Sequence, residues 1–373
     1  MSQTQVFIKK NTDKLSALQR CKFRFFCIQY WKNRVSVVKY IKTDKFLFQE
    51  LFHMKPKAII VCESTRQIEY VYTKKQLDEL ATLTVLHPGI VNDLSQGDFS
   101  EVEYLFSTWG MLRPSEEEIA KYLPNLKAVF YSAGATDHFV RPFFARNVRV
   151  FSAWNANAVP VSEFSLAQIL LALKGYYLNS REVHSKGWKG AFRGPGIYNE
   201  TVALIGDGAI ANRLAGMLKN FNLNVIMIPS RPEWRTVSLE EAFKTAFVIS
   251  NHLPNRDDNI GVINRTHFES MRYGATFINT GRGAQVNEAD MIEVFKARPD
   301  LTALLDVTFP EPPVEGSELY TLPNIRLSSH IAGSLNNEVV RMSEYMLDEF
   351  KRFISGKELR YEVKEEMLIT SKS

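Results

Sequence analysis

Cysteine is scarce in this sequence, and long apolar runs are missing from it. Three cysteines in 373 residues are too few for a disulfide framework, and they fit a reducing cytoplasm. No cysteine or histidine cluster has the spacing of a zinc site, so we expect no bound metal. No apolar run reaches the roughly 18 residues that a membrane helix needs. These absences predict a cytoplasmic protein that spans no membrane.

Excess positive charge is confined to the N-terminal segment. Residues 1–53 carry a net charge of +8, whereas residues 54–373 carry a net charge of −3. The larger part therefore gives no electrostatic support for nucleic-acid binding. Aromatic residues alternate with basic ones in this segment, so it could also be an arm that binds a membrane surface or a nucleic acid. We favour an extension outside the fold or an upstream stretch read through from an early start, which would make Met54 the true first residue.

The rest of the sequence alternates short apolar runs with helical patterns, which predicts parallel strands joined by crossover helices. Residues 161–177 are apolar on most faces, as expected of a helix buried between two domains. A loop is predicted at residues 186–198, and a closing helix at residues 336–355. Shorter helices are predicted at residues 73–82, 115–123 and 212–220, the second with a capping box at Ser115 and Glu118. Strands are predicted at residues 58–62, 102–107, 126–132, 148–152, 201–205, 224–228, 247–250, 275–279, 302–306 and 325–328.

A glycine-rich turn, Gly206-Asp-Gly208-Ala-Ile-Ala211, lies between a predicted strand and a predicted helix. That context is the one a dinucleotide-binding fingerprint requires. Gly206 allows the tight turn, Gly208 lets the backbone approach a pyrophosphate, and Ala211 takes the packing role of the third glycine. The helix N-terminus supplies amide donors for the phosphates. An ordinary strand–turn–helix is the weaker alternative.

The end of the next strand bears on the choice of cofactor. An acid is expected there to bind the ribose 2′-hydroxyl, but this strand ends Ile228-Pro229-Ser230-Arg231. Ser230 and Arg231 can bind a 2′-phosphate, since no carboxylate at position 229 repels it. The sequence therefore favours NADP over NAD, unless Arg231 is only a solvated loop residue.

Three further strand ends carry a charged or titratable residue, namely Arg282, Glu311 and His330. Ligands bind at the carboxyl ends of strands in open α/β sheets. Arg282 can bind a substrate carboxylate through two hydrogen bonds. His330 can give the proton that the oxygen of a 2-oxo acid needs as hydride arrives, and Glu311 can favour the protonated ring. Singly, His330 and Glu311 could be structural, but together the three predict hydride transfer between a nicotinamide and a 2-hydroxy acid.

The motifs around these residues resemble those of the D-isomer-specific 2-hydroxyacid dehydrogenase family, which includes phosphoglycerate dehydrogenase, glyoxylate/hydroxypyruvate reductase and D-lactate dehydrogenase. The resemblance implies Arg282, Glu311 and His330 as the catalytic set. Pro229 departs from the aspartate usual in the family. The most specific signatures are Ile278-Asn-Thr-Gly-Arg-Gly283, Leu305-Asp-Val and Ser329-His-Ile-Ala-Gly-Ser334.

The resemblance also implies how the ligands are held. Asp306 would hold the nicotinamide carboxamide, and His252 with Pro254 would lie beside the adenosine. Gly134 and Ala135 belong to a loop whose amides would bind the substrate carboxylate. The remaining cofactor contacts implied are backbone groups of Ala209, Ile210, Thr280, Gly281 and Gly333.

We therefore predict an α/β protein of two doubly wound parallel-sheet domains, with a Rossmann cofactor domain inserted in a flavodoxin-like substrate domain. The cofactor domain would span residues 153–333, and the substrate domain residues 54–152 plus 334–373. We also expect a homodimer. The alternative function is a regulator of the corepressor type, which binds the dinucleotide and recruits partners. The sequence does not predict which 2-hydroxy acid is the substrate.

Overall fold

The computed structural model describes residues 55–370, so the predicted extension at residues 1–53 and Met54 lie outside the described residues. The strands are β1 Lys57–Val61, β2 Val85–Val91, β3 Tyr104–Ser107, β4 Ala128–Tyr131, β5 Arg149–Ser152, β6 Glu200–Ile205, β7 Leu223–Ile228, β8 Val248–Asn251, β9 Thr276–Asn279, β10 Thr302–Leu305, β11 Ile325–Leu327 and β12 Glu362–Val363. The helices are α1 Thr65–Val71, α2 Lys74–Leu83, α3 Glu116–Tyr122, α4 Val140–Ala145, α5 Trp154–Leu173, α6 Tyr176–Gly190, α7 Ala209–Leu218, α8 Leu239–Thr245, α9 Arg265–Ser270, α10 Glu288–Ala297, α11 Val340–Ile354 and α12 Glu365–Thr370.

The first sheet has six strands in the order β12-β5-β4-β3-β1-β2. β3 pairs in parallel with β1 and β4, and β4 pairs in parallel with β5. β12 pairs antiparallel with β5, although the whole second sheet separates the two in the chain. The order of β1 to β5 is that of a flavodoxin-like sheet. The predicted insertion of one domain in another is therefore confirmed.

Aromatic side chains fill the core of the first sheet. Phe130 stacks on Phe106 and Phe151 of the adjacent strands, with ring centroids 5.2 and 4.9 Å away. Phe350 of α11 meets Phe130 edge-on at 5.2 Å. All four side chains are fully buried. α11 therefore packs on the first sheet, and strands buried this deeply read in the sequence as continuous apolar runs.

The second sheet also has six strands, in the order β11-β10-β9-β8-β6-β7, and its pairs are parallel. From β6 the chain passes to β7 on one side and then crosses to β8 on the other. That reversal opens a crevice at the carboxyl ends of β6 and β8, where doubly wound sheets bind ligands. The aliphatic core around this sheet includes Val202, Leu204, Ile228, Ile249 and Ile278.

The helix between the two sheets differs most from its prediction. α5 begins at Trp154 rather than at residue 161, and it contains Pro160. A proline in a helix interior removes a backbone hydrogen bond, so sequence patterns favour a helix that begins after it. α6 follows Gly175, whose φ is 72°, and it occupies the first part of the predicted loop. α5 is long and apolar enough to cross a membrane, but more than half of its apolar stretch is buried, as expected of a core helix.

Most other elements agree with their predictions. The ten predicted strands are confirmed with ends that differ by at most two residues, and the capping box of Ser115 and Glu118 is present. β2 was missed because it contains Pro88 and Gly89, which weaken a strand pattern, and most of its residues are at least partly exposed. β12 was missed because it is only two residues long. α7 begins at Ala209, three residues before its predicted start.

Candidate active site

The loop between β6 and α7 carries the glycine pattern. Gly206 has a φ of 114°, which favours glycine, and a Cβ there would lie 2.6 Å from the carbonyl oxygen of His252. Gly208 is the N-cap of α7, and a Cβ there would meet no atom of the described residues within 4 Å. Within the described chain, no side chain caps this helix start, so its first amides are left for a ligand. Ala211 is fully buried, as its predicted packing role requires.

A cavity of about 560 Å³ opens beside this loop and brings together most of the predicted site residues. Gly206 and Glu311 are not part of its wall. From the predicted cofactor, catalytic and substrate residues, the wall contains Gly208, Ala209, Ile210, Ser230, Arg231, His252, Pro254, Thr280, Gly281, Asp306, Gly333, Arg282, His330, Gly134 and Ala135.

His330 and Glu311 form a close pair. His330 Nδ1 lies 2.6 Å from Glu311 Oε1, and 48% and 42% of their side chains are exposed. A second cavity, of about 680 Å³, is lined by Glu311, His330 and Asp306. His330 has a φ of 57°, a conformation uncommon outside glycine and often found at functional sites. Because Glu311 holds Nδ1, Nε2 is the ring nitrogen that can meet a substrate.

Asp306 organises the loop that carries His330. Its Oδ1 accepts hydrogen bonds from the Ser328 hydroxyl over 2.6 Å and from the Ile331 amide over 2.9 Å. Its Oδ2 accepts one from the Ala332 amide over 2.9 Å, and its carbonyl accepts one from the His330 amide over 3.0 Å. A buried carboxylate with charge-assisted hydrogen bonds on both sides of His330 fixes the loop. This positioning role was not predicted.

Arg282 follows β9 and lies in the wall of the first cavity. Its Nη1 donates to the carbonyl of Gly281 over 2.8 Å. Burial lowers the pKa of Arg282 from its ordinary value, and the negative charges of Glu311 and Asp137 oppose that shift. A guanidinium stays protonated in proteins, so Arg282 presents a largely desolvated positive charge near Glu311. A Cβ at the next residue, Gly283, would collide with the backbone of Thr308.

His252 is buried among hydroxyl groups at the end of β8. Its Nε2 lies 2.9 Å from the Ser250 hydroxyl and its Nδ1 lies 3.0 Å from the Thr280 hydroxyl. Burial lowers the pKa of His252 to about 3, so the ring is neutral at physiological pH. The Thr280 hydroxyl also lies 3.4 Å from that of Ser165 on α5. His252 is therefore a neutral part of the cavity wall and not an acid–base group.

The loop after β4 carries Gly134 and Ala135. The Ser152 hydroxyl donates to the carbonyl of Gly134 over 2.6 Å and to that of Ala133 over 2.8 Å. Among residues 55–370, no acceptor is hydrogen-bonded to the amides of Gly134 or Ala135. Both amides are therefore available to an anion at the cavity wall. In the same part of the chain, no group of three or more metal-ligating side chains is placed to hold an ion.

Comparison with known proteins shows the family. A family model described as "D-isomer specific 2-hydroxyacid dehydrogenase, NAD binding domain" matches residues 166–332. The D-3-phosphoglycerate dehydrogenase 1 of Saccharomyces cerevisiae is 30% identical over 344 residues, covering 77% of this chain and 72% of that protein. The chain belongs to the D-isomer-specific 2-hydroxyacid dehydrogenase family.

Two further comparisons bear on coverage and fold. A Bacillus subtilis protein named as a 2-hydroxyacid dehydrogenase, YoaD, is 30% identical over 202 residues, which cover 51% of this chain but only 59% of that protein. The structure of a Rhizobium etli 2-hydroxyacid dehydrogenase, in complex with NADP, HEPES and L(+)-tartaric acid, has a TM-score of 0.65 at 22% identity. The match covers 84% of this chain and 100% of the Rhizobium etli chain, and that structure has the predicted fold.

The cavity wall also has members that sequence reasoning did not place there, namely Trp154, Asn157, Asp207 and Trp234. Asn157 Oδ1 accepts a hydrogen bond from the Ser334 amide over 2.8 Å, so α5 also holds the loop after His330. The available signal for Asn157 was a polar side chain early in an apolar helix. The signal for Asp207 was an acid inside the glycine pattern itself.

Proposed function

We propose that this protein is an oxidoreductase that transfers hydride between a nicotinamide dinucleotide and the C2 carbon of a 2-hydroxy or 2-oxo acid. The observation that carries the proposal is the His330–Glu311 pair, with His330 and Arg282 in the wall of the cavity beside the glycine loop. Binding a dinucleotide alone needs no acid–base pair. Relatives named as dehydrogenases support the same activity.

The residues of the cavity fit a dinucleotide. The open space at Gly208 and the uncapped start of α7 suit a pyrophosphate. The neutral His252 brings no charge to the implied adenosine side. Asp306 already accepts three hydrogen bonds through its carboxylate, but a carboxylate has about four acceptor positions, so one stays available to a carboxamide. When bound, the nicotinamide would supply or accept the hydride.

The remaining residues have roles on the substrate side. In the reducing direction, Arg282 and the amides of Gly134 and Ala135 bind the carboxylate of the 2-oxo acid. Nε2 of His330 donates a proton to the carbonyl oxygen, which becomes the hydroxyl of the product. Glu311 fixes the orientation of the ring through its contact with Nδ1. In the oxidising direction, His330 accepts the same proton.

The preference for NADP over NAD remains a prediction. In its favour, Ser230 and Arg231 line the cavity, as a 2′-phosphate site requires, and the Rhizobium etli structure contains NADP. Against it, Asp207 brings a carboxylate to the same part of the wall.

We also propose the domain boundaries, the homodimer and the cytoplasmic location. The two separate sheets support a cofactor domain of residues 153–333 and a substrate domain of residues 54–152 plus 334–373. Exposed apolar side chains on α5 and α6 support self-association, since Leu171, Tyr176 and Trp188 are 42%, 52% and 83% exposed. The low cysteine content and the acidic main body support a reducing compartment without nucleic-acid partners.

The proposed function is tested by mixing the protein with NADH or NADPH and a panel of 2-oxo acids, and by following the absorbance of the reduced nicotinamide. We expect turnover of at least one acid by the unaltered protein and little turnover by His330→Asn. Asparagine is a suitable replacement because it tolerates the left-handed backbone at this position. Dinucleotide binding with no turnover of any acid would refute the enzyme and favour the corepressor-type alternative.

A further inference from the structure

The end of β7 lacks the acid that usually binds the adenosine ribose. β7 ends at Ile228, and the expected acid position is Pro229. A proline there offers neither a carboxylate nor an N–H. The next two residues, Ser230 and Arg231, have polar side chains but no carboxylate. Unless another group replaces the acid, the ribose hydroxyls therefore lack a carboxylate acceptor.

The neighbouring strand brings a carboxylate to this place. Ile205 of β6 pairs with Ile228 of β7. The pairing continues past both strands, because the Gly206 amide donates to the Ile228 carbonyl over 2.7 Å. The next residue of the glycine loop, Asp207, therefore runs alongside Ser230. An acid in the second position of the glycine pattern thus lies beside the position that lacks one.

The contacts of Asp207 leave one carboxylate oxygen available. The Ser230 amide donates to Asp207 Oδ1 over 3.3 Å. Asp207 is partly buried and lines the cavity. Within the described range, no donor is hydrogen-bonded to Oδ2. A partly desolvated carboxylate with an unused oxygen is a strong acceptor for hydroxyl groups.

The backbone that carries this carboxylate is held by its neighbours. The Asn212 side chain donates through Nδ2 to the backbone carbonyls of Asp207 and Gly208, over 2.5 and 3.0 Å. Gly206, on the other side, has the φ of 114° and the close approach to His252 already described. The backbone of Asp207 is therefore held from both sides.

The guanidinium groups on this side of the cavity have protein partners of their own. Arg231 lies over the ring of Trp234 at 5.1 Å, and its Nη1 lies 3.9 Å from Glu233 Oε1. Arg235 donates to the backbone carbonyls of residues 229 and 230, over 2.9 and 3.0 Å. The positive charge that a 2′-phosphate would need is thus partly engaged. Among the residues that the structure describes, the carboxylate of Asp207 has a single amide partner.

We propose that Asp207 supplies the carboxylate that position 229 lacks, and that it makes the site select NAD over NADP. This inference rests on the proposed function, because it names the cofactor of the same site. A carboxylate accepts hydrogen bonds from ribose hydroxyls and repels a 2′-phosphate. The proposal reverses the preference for NADP that residues 228–231 predict. That prediction took account of the missing acid after β7 but not of the acid in the loop after β6.

Calorimetric titration with NADH and NADPH, in the absence of substrate, tests the proposal. We expect the unaltered protein to bind NADH at least tenfold more tightly than NADPH. Asp207→Asn keeps an acceptor for the Ser230 amide but removes the charge, so it should lower the NADH preference by about 10- to 100-fold, the range expected for a charge-assisted hydrogen bond. Adding Arg231→Ala to Asp207→Asn should remove whatever NADPH affinity the single variant gains.

Glu241→Gln is the matched control, because it removes the same charge from an exposed position on α8. It should leave the ratio of the two affinities unchanged. A protein that prefers NADPH, an unchanged ratio in Asp207→Asn, or an equal change in Glu241→Gln would overturn the role of Asp207 and leave hydride transfer standing. Failure of the unaltered protein to bind either dinucleotide would overturn the proposed function as well.

Discussion

The two sheets share a strand order but differ at their switch points. In both, the first strand lies between the second and the third, which offers a crevice at its carboxyl end. In the second sheet this place holds Gly206 and the uncapped start of α7. In the first sheet it holds Cys62, whose thiol donates to Gln67 Oε1 and to the carbonyl of Trp109, both over 3.2 Å.

The filled switch point shows that topology alone does not make a nucleotide site. Cys62 is fully buried, and burial raises the pKa of its thiol. The Gln67 side chain packs so closely on Gly110 that a Cβ at this glycine would collide with it. The same strand order therefore offers two crevices, and the loop after the first strand decides which one stays open. The residues proposed for the reaction accordingly gather at the second sheet, and the first sheet contributes the Gly134 loop.

The largest effect should come from removing the acid–base group of the second sheet. We expect His330→Asn to lower the turnover number by about 10²- to 10⁴-fold, because it abolishes proton transfer. Its affinity for NADH, measured by titration, should stay within twofold of the unaltered value. Near-normal turnover would mean that the second sheet does not carry the chemistry.

An alanine substitution at each switch point should distinguish the open crevice of the second sheet from the filled crevice of the first. At Gly206, an added Cβ meets the His252 carbonyl and forces a left-handed backbone on alanine. Gly206→Ala should lower the free energy of unfolding by about 1–3 kcal/mol and weaken NADH binding at least tenfold. Cys62→Ala, in the first sheet, should leave NADH affinity unchanged. Equal losses of NADH affinity in both variants would erase the distinction between the two switch points.

The buried histidine of the second sheet should make folding sensitive to acid. The pKa of His252 is about 3 in the folded protein and about 6.5 when unfolded. Between these values the unfolded state binds a proton that the folded state does not, so stability falls as the pH falls. We expect the free energy of unfolding, measured in urea, to fall with decreasing pH more steeply in the unaltered protein than in His252→Gln. Below pH 6 the difference should reach up to about 1.4 kcal/mol per pH unit. If stability depended on pH in the same way in both proteins, burial would not lower the pKa of His252.

The smallest expected effect concerns the orientation of the His330 ring. Glu311 contacts His330 Nδ1 over 2.6 Å, so it fixes which ring nitrogen can meet a substrate. Glu311→Gln should lower the turnover number by about two- to tenfold, the range expected for one hydrogen bond, and leave NADH affinity unchanged. Glu288→Gln, which alters an acid near Phe309, serves as the comparison and should leave the turnover number in place. An unchanged turnover number in Glu311→Gln would separate that residue from the reaction.

Much of the molecule could be predicted because its buried strands and glycine loop depend on local sequence. Ten strands were located from short apolar runs, and Gly206 and Gly208 stand where the fingerprint requires. β2 could not be found this way, since its residues are largely exposed and Pro88 breaks the pattern. The start of α5 was hidden by Pro160, whose effect depends on the turn it occupies.

The sequence could predict which residues lie close together at the candidate site, but not the hydrogen bonds that hold them there. Strand ends identified Arg282 and His330 as neighbours, and both line one cavity. The hydrogen bonds that Asp306 makes to the 328–332 loop depend on a fold in which β10 and β11 lie side by side. The contact between Asp207 and Ser230 depends on the register of β6 with β7. Such contacts between strands leave no mark in the spacing of residues along the chain.

The tryptophans of the cavity give the protein an optical property. Trp154 and Trp234 both line the wall, and the Nε1 of Trp154 is buried without a hydrogen-bond partner in the described part of the chain. Its emission should lie at shorter wavelengths than that of Trp188, which is 83% exposed. Indole emission overlaps the absorption band of a reduced nicotinamide, so excitation energy would pass from the wall to a bound cofactor. The blue part of the protein's own fluorescence should then dim as the cavity fills, a signal that needs no label.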